Sequence, residues 1–304
     1  MLADLETPSP PVTLHQLAGG WQLGDPWAVA ALVLQVASLA WYGAGMARLR
    51  RRGRSWPAGR AASFGAGVAC LCVALVSGLA SYDDSVFTAH VMQHLLLMMV
   101  APPLLALGAP VTLAIQASPR SAQTAFVRLV HSRVVGVLTL PLVAAALYYG
   151  AMYAGFLTSL YPYALTHSLA HHLEHLAIFA VGCLFWWPMV ATDELPHRPA
   201  YPLRILAMFV GMPFEVFLGV AVMNFSRPIA PEHTLSDTHT GGAVFWVASM
   251  AITFLAALVM VAQWMRAEER QAVREDRRAA AREARRVQTW EAARAAKGAP
   301  VKDL

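Results

Sequence analysis

Seven apolar stretches, each near the roughly 20 residues that an α-helix needs to cross about 30 Å of hydrocarbon, constrain this chain more than any other feature. They fall at about 27–48, 61–80, 87–107, 134–154, 165–190, 203–224 and 242–264. Backbone polar groups inside a bilayer have to be satisfied by the chain itself, and runs of this length do so as helices. The predicted fold is all-α, a polytopic membrane protein with seven transmembrane helices. Composition agrees: 304 residues that are 57% hydrophobic and only 13% charged are too apolar for a soluble domain of that size. The fifth stretch is interrupted by histidines and Glu174, but Leu176 to Val190 continues apolar without a break. Pro102 and Pro103 in the third stretch and Pro213 in the sixth are expected to kink their helices rather than end them.

Basic residues set the direction of the chain. With the two ends on opposite sides, Arg48, Arg50, Arg51, Arg52, Arg54 and Arg60 share one loop, Arg120, Arg128 and Arg133 the next on that side, and Arg198 and Arg204 the third, followed by the basic tail. The opposite loops carry one basic residue, Arg227, against Asp25, Asp83, Asp84, Glu232 and Asp237. The positive-inside rule then places the N-terminus outside and the C-terminus in the cytoplasm. The expected division is an extracytoplasmic segment 1–26, a transmembrane domain 27–264 and a basic cytoplasmic tail 265–304, helical and solvated through its Ala, Arg and Glu residues. Asp4 and Glu6 replace the basic start of a cleaved signal, so none is expected. The formal charge of +5 is spent on topology, without the aromatic interleaving of a nucleic-acid groove. The bilayer, not nucleic acid, is the predicted partner. Cys70, Cys72 and Cys183 lie inside apolar runs and make no disulfide framework.

The histidines carry the chemistry. His90 and His94 stand four residues apart on one face of the third helix, roughly 5 and 10 Å below the outer surface at 1.5 Å per residue from Phe87. On the fifth helix His167, His171 and His175 repeat the spacing, Glu174 follows His171 by three, and His172 is turned about 100° away. Both helices run from outside to inside, so the two stripes share one leaflet and can face each other. Ionisable groups inside a span are costly and mark functional sites. An adjacent pair from each of two helices is also how bundles hold metals.

The candidate ligands are His90, His94, His167, His171 and His175, with Glu174 either ligating or accepting an N–H from an orienting histidine. Asp237 and His239 sit in the last outer loop, where a ligand enters or leaves. Imidazole binds copper, zinc and iron alike, whereas Met92, Met98, Met99, Met152 and Met223 would bias a site toward the cuprous ion if they point inward. A single intramembrane histidine is adequately explained by a hydrogen bond between helices; two stripes with a glutamate in one leaflet are better explained by a site. Cys70 and Cys72 read as packing residues, Trp186 and Trp187 as an aromatic belt, and Glu215 either joins the cluster or pairs with a neighbouring helix.

Three segments, HVMQHLLLMMVAPPLLALGAP from His90 to Pro110, HHLEHLAIFAVGCLFWWPMV from His171 to Val190, and DTHTGG from Asp237 with Trp246 beyond it, resemble the CtaG-type assembly factors of caa-type cytochrome c oxidase. The likeness covers about residues 25–266. It implies a multi-pass plasma-membrane protein that helps deliver copper to the copper B centre of oxidase subunit I, with His90, His94, His171, Glu174, His175 and Asp237 matching the family pattern. His172, His239 and Glu215 stand outside that pattern.

A metallochaperone needs no chemistry of its own and is the leading expectation. The alternative is an intramembrane zinc-dependent hydrolase, with three histidines around an activated water and Glu174 as base. A b-type haem with axial histidines is a third reading, separated by its absorption band. A retinal Schiff base is excluded, because the lysines are Lys297 and Lys302, beyond the last span. The copper donor and the choice between monomer and homodimer are left open by the sequence.

Overall fold

The computed structural model describes residues 20–190, 193 and 199–296, apart from the side chains at 122, 129, 130, 295 and 296. Asp4, Glu6, Arg198, Lys297 and Lys302 therefore lie outside the described residues. The described residues are 84% helical and include no strand. In chain order the helices are α1 (Pro26–Arg51), α2 (Ala58–Val76), α3 (Phe87–Leu95), α4 (Ala101–Leu107), α5 (Pro110–Ala117), α6 (Arg120–Val130), α7 (Arg133–Leu138), α8 (Pro141–Leu157), α9 (Leu160–Thr166), α10 (Ser168–Val190), α11 (Tyr201–Met223) and α12 (Leu235–Ala296). A 3-10 turn at Gly78–Ser81 extends α2, and a π-helical turn at Leu96–Val100 joins α3 to α4.

Among the described residues, six segments are long and apolar enough to cross a membrane: α1, α2 with its 3-10 turn, the composite Phe87–Ala117, α10, α11 and α12. The pair α8 and α9, bent by 69°, makes a seventh when taken as one span. Their outward faces are apolar, as at Leu34, Val36, Leu142 and Phe217, all of them exposed. Water would not tolerate so much uncovered apolar surface, but lipid does.

Proline explains where the spans depart from the sequence expectation. The fourth was expected at 134–154, but residues 133–138 form the separate α7 and the long helix begins at Pro141. A residue before proline avoids the helical region, and Leu140 is accordingly extended (φ −59°, ψ 131°), leaving Pro141 at the first helical position. In the third span Pro102 and Pro103 have no N–H to offer the carbonyls of Met98 and Met99. The helix widens just before them, and the Ala101 N–H reaches back five residues to the Leu96 carbonyl. Pro213 lies inside α11, which continues through it.

This widened turn is where α10 docks. A Cβ at residue 182 would stand 2.6 Å from the Met98 carbonyl oxygen and 3.0 Å from Pro102 Cγ, so only glycine lets the α10 backbone come this close. Across the other face, α2 packs on α4 with Gly67 against Leu105. Thus α10 is clamped against the composite third span, with α8 on its remaining flank. By internal contacts the chain divides into two units, Met1–Ala257 and Leu258–Leu304. In the second, the charged residues of α12 are largely exposed and pair locally, as in Gln271 with Glu275 and Arg286 with Glu283.

Candidate metal centre

The site begins with a helix start. The first backbone N–H groups of α3 lack partners within the helix. The Asp237 carboxylate of α12 supplies them, accepting from Phe87 N (2.6 Å), Thr88 N (3.1 Å) and Thr88 Oγ1 (2.6 Å). An anion at a helix N-terminus also complements the helix dipole. Asp237 is therefore engaged in holding α3 in place, one turn above His90, and it reaches the histidines only through His233, whose Nδ1 lies 3.9 Å from its Oδ2.

One turn into α3, His90 is fully buried and His94 nearly so, their ring centroids 3.9 Å apart. From α10, His171 and His175 project into the same space, with ring centroids 5.6 and 6.1 Å from that of His90. His94 and His175 are 5.8 Å apart. Glu174 joins them, its Oε1 4.0 Å from His94 Nε2. One potential ligand atom from each of His90, His171 and His175 lies within 4.8 Å of the others, and the same holds for His90, His94 and Glu174. An ion bonded to nitrogens at roughly 2.0–2.1 Å holds its ligands within about 4 Å of each other, so both sets are within an ångström of closing on one ion.

The hydrogen bonding around these groups is the telling feature. His90 Nδ1 and Nε2, His94 Nε2, His171 Nε2, His175 Nε2 and both Glu174 oxygens are buried without a hydrogen-bond partner. Each such atom costs about 1–3 kcal/mol unless something binds it. Buried polar atoms are normally satisfied, and here seven of the exceptions gather in one cluster. The residues present fit a cation with nitrogen and oxygen ligands.

Two acids that the sequence analysis treated only as topology charges complete the rim. Asp84 Oδ1 is 3.1 Å from His171 Nδ1, and Asp83 Oδ2 is 3.7 Å from His171 Nε2 and 4.0 Å from His175 Nε2. A carboxylate accepting one ring N–H fixes the tautomer and frees the other nitrogen for a metal. The hydrogen bond from His171 holds the Asp84 carboxyl below its usual range, whereas burial raises that of Asp83 to about 7. Tyr161 and His233 were also missed. The Tyr161 ring lies 4.4 Å from that of His90, and its hydroxyl is 2.6 Å from His233 Nε2. The signals were present: a paired aspartate just before α3, and His233 four residues ahead of Asp237.

The remaining candidates lie elsewhere. His167 does not belong to the stripe, because α10 starts one residue later and His167 is extended (φ −136°, ψ 97°) at the end of α9. It is exposed, and its Nδ1 bonds to the Tyr163 carbonyl at 3.0 Å. His172 turns away and stacks against Trp27, and His239 Nε2 bonds to the Phe225 carbonyl. Glu215 pairs with Thr253 of α12 at 3.1 and 3.2 Å.

A family model described as cytochrome c oxidase caa3 assembly factor matches residues 40–267. An uncharacterized protein of Mycobacterium tuberculosis is 33% identical over 285 residues, covering 88% of this chain and 42% of its own length. One from Mycobacterium leprae is 32% identical over 289 residues, with 88% and 43% covered. The chain spans about two fifths of the length of these relatives. No solved structure gives a significant match.

Proposed function

Since the chain belongs to the cytochrome c oxidase caa3 assembly factor family, we propose that it is a membrane metallochaperone that carries a copper ion on the four histidines of α3 and α10 and passes it to the copper B centre of oxidase subunit I. The observation that carries this reading is the convergence of seven buried, unpartnered ligand atoms from His90, His94, His171, His175 and Glu174. A cargo site has to bind firmly and still release, and this one combines imidazoles with a margin of acids. Asp84 orients His171, Asp83 stands within 4.0 Å of both His171 and His175, and Asp237 keeps α3 at the depth where its histidines meet those of α10. The positive-inside pattern supports a mouth on the extracytoplasmic side of the membrane.

In this role copper is cargo, and the protein's residues bind, orient and exclude water without a reaction step. A recipient whose own ligands lie within the bilayer would dock laterally, because the histidines lie about a turn or two below the helix starts. The test is made in cells: with His94→Ala and His175→Ala introduced together, the copper content of purified oxidase falls several-fold while the variant protein still accumulates in the membrane. Oxidase with its normal copper complement in that strain refutes the proposal.

A further inference from the structure

Directly beneath His94 lies a cavity of about 20 Å³ whose lining includes His94, Met98, Met99, Met152, Phe156 and Phe245. Met98, Met99 and Met152 are all buried, whereas Met92 is 44% exposed on another face of α3 and Met223 packs on Gly242. Three of the five methionines singled out in the sequence therefore meet at one place, next to a histidine whose Nε2 is buried and unpartnered.

The π-helical turn produces this meeting. In an ordinary helix, the fifth residue after His94 would be rotated by about 140° from it, leaving Met99 on a different face from Met98. A turn closed by i→i+5 bonding holds more residues, which brings positions four and five together under His94. The Pro102–Pro103 pair that forces the wide turn thus also brings Met98 and Met99 to one cavity, which Met152 of α8 meets from the other side. Methionines acting only as filler would close the space between them. Here all three line it, together with His94 and apolar residues such as Phe156 and Phe245. The volume exceeds the roughly 10–15 Å³ that a water requires, but thioethers are weak acceptors and offer water little.

We propose that this cavity is a second metal site, a thioether and imidazole pocket that takes a soft monovalent cation, the cuprous ion. The inference rests on the reading of the histidine cluster as a copper site and adds to it an oxidation state and a direction. His90, His94 and Met98 follow one another at four-residue intervals down the third span. An ion moving inward exchanges nitrogen ligands for sulfur while His94 keeps hold of it. Thioethers select Cu(I) over zinc, so the pocket also rejects the commoner competitor.

The test uses the full chain in detergent, loaded anaerobically with Cu(I) from a competing chelator and titrated in parallel with Zn(II). X-ray absorption at the copper edge is expected to show sulfur scattering in the wild type. Combined Met98→Leu, Met99→Leu and Met152→Leu substitution, nearly neutral in volume, is expected to remove the sulfur signal and weaken Cu(I) binding at least tenfold, with Zn(II) uptake changed less than twofold. A wild-type copper environment of nitrogen and oxygen alone, or unchanged Cu(I) affinity in the triple variant, overturns the pocket and leaves the histidine site standing. Uptake of neither ion by the wild type overturns both. Should the triple variant fold poorly, the wild-type spectrum decides by itself.

Discussion

Two of the places where the first unit buries polar side chains treat them oppositely. Around Asp193, the carboxylate accepts from Thr112 N (2.9 Å), Thr112 Oγ1 (2.5 Å) and Trp187 Nε1 (3.2 Å). Nearby, Trp56 Nε1 donates to Tyr42 Oη, which in turn donates to the Gly108 carbonyl, both at 2.8 Å. Donors and acceptors in that network use each other up, which fastens helices and leaves nothing to offer a ligand. Around His90 seven buried ligand atoms have no hydrogen-bond partner, and the nearest carboxylates approach His94, His171 and His175 Nε2 at 3.7–4.0 Å. One arrangement is closed by its own hydrogen bonds and the other is not.

Ion binding is the largest lever on that contrast. Copper held a hundredfold above its dissociation constant should stabilise the wild type by about 2.7 kcal/mol, seen as a rise in the thermal unfolding temperature that a strong chelator reverses. If copper leaves the unfolding temperature where it was, the free atoms are not a binding site. Asp193→Ala addresses the closed cluster. It removes three hydrogen bonds and should cost about 1–3 kcal/mol with or without metal, with copper affinity in a chelator competition unchanged. Loss of affinity there would erase the distinction between the two places. Asp84→Asn keeps the shape but weakens the acceptor that orients His171, so affinity should fall about tenfold while the apo unfolding temperature stays close to wild type. His167→Ala is the smallest change, with copper affinity within about twofold, because that ring bonds its own helix instead of facing the cluster. A large drop would return it to the ligand set.

How much of this was legible in the sequence depends on what each feature needed. Apolar length alone gave the spans, because about 20 residues is a physical requirement of the bilayer. The pairing of His90 and His94 with His171 and His175 followed from four-residue spacing on two helices of one direction. His167 misled for the same reason: the spacing assumes an unbroken helix, and Ser168 is where α10 begins. The break at Leu140 before Pro141 was readable from proline chemistry but was hidden inside an apolar run. The π turn was not readable, since hydropathy carries no mark of one extra residue per turn, and with it went the joint placement of Met98 and Met99. Asp83 and Asp84 were counted as loop charges. Their approach to His171 depends on how the turn after α2 folds back, which no periodicity encodes.

If the unpartnered imidazoles of α3 and α10 hold a metal ion, the purified protein will carry it. Elemental analysis of detergent-purified wild type beside a His90→Ala, His175→Ala double variant, both loaded with copper and washed with a weak chelator, should find copper bound to the wild type. The variant should retain less than about a tenth as much. Equal copper in the two proteins, or none in either, would contradict the account.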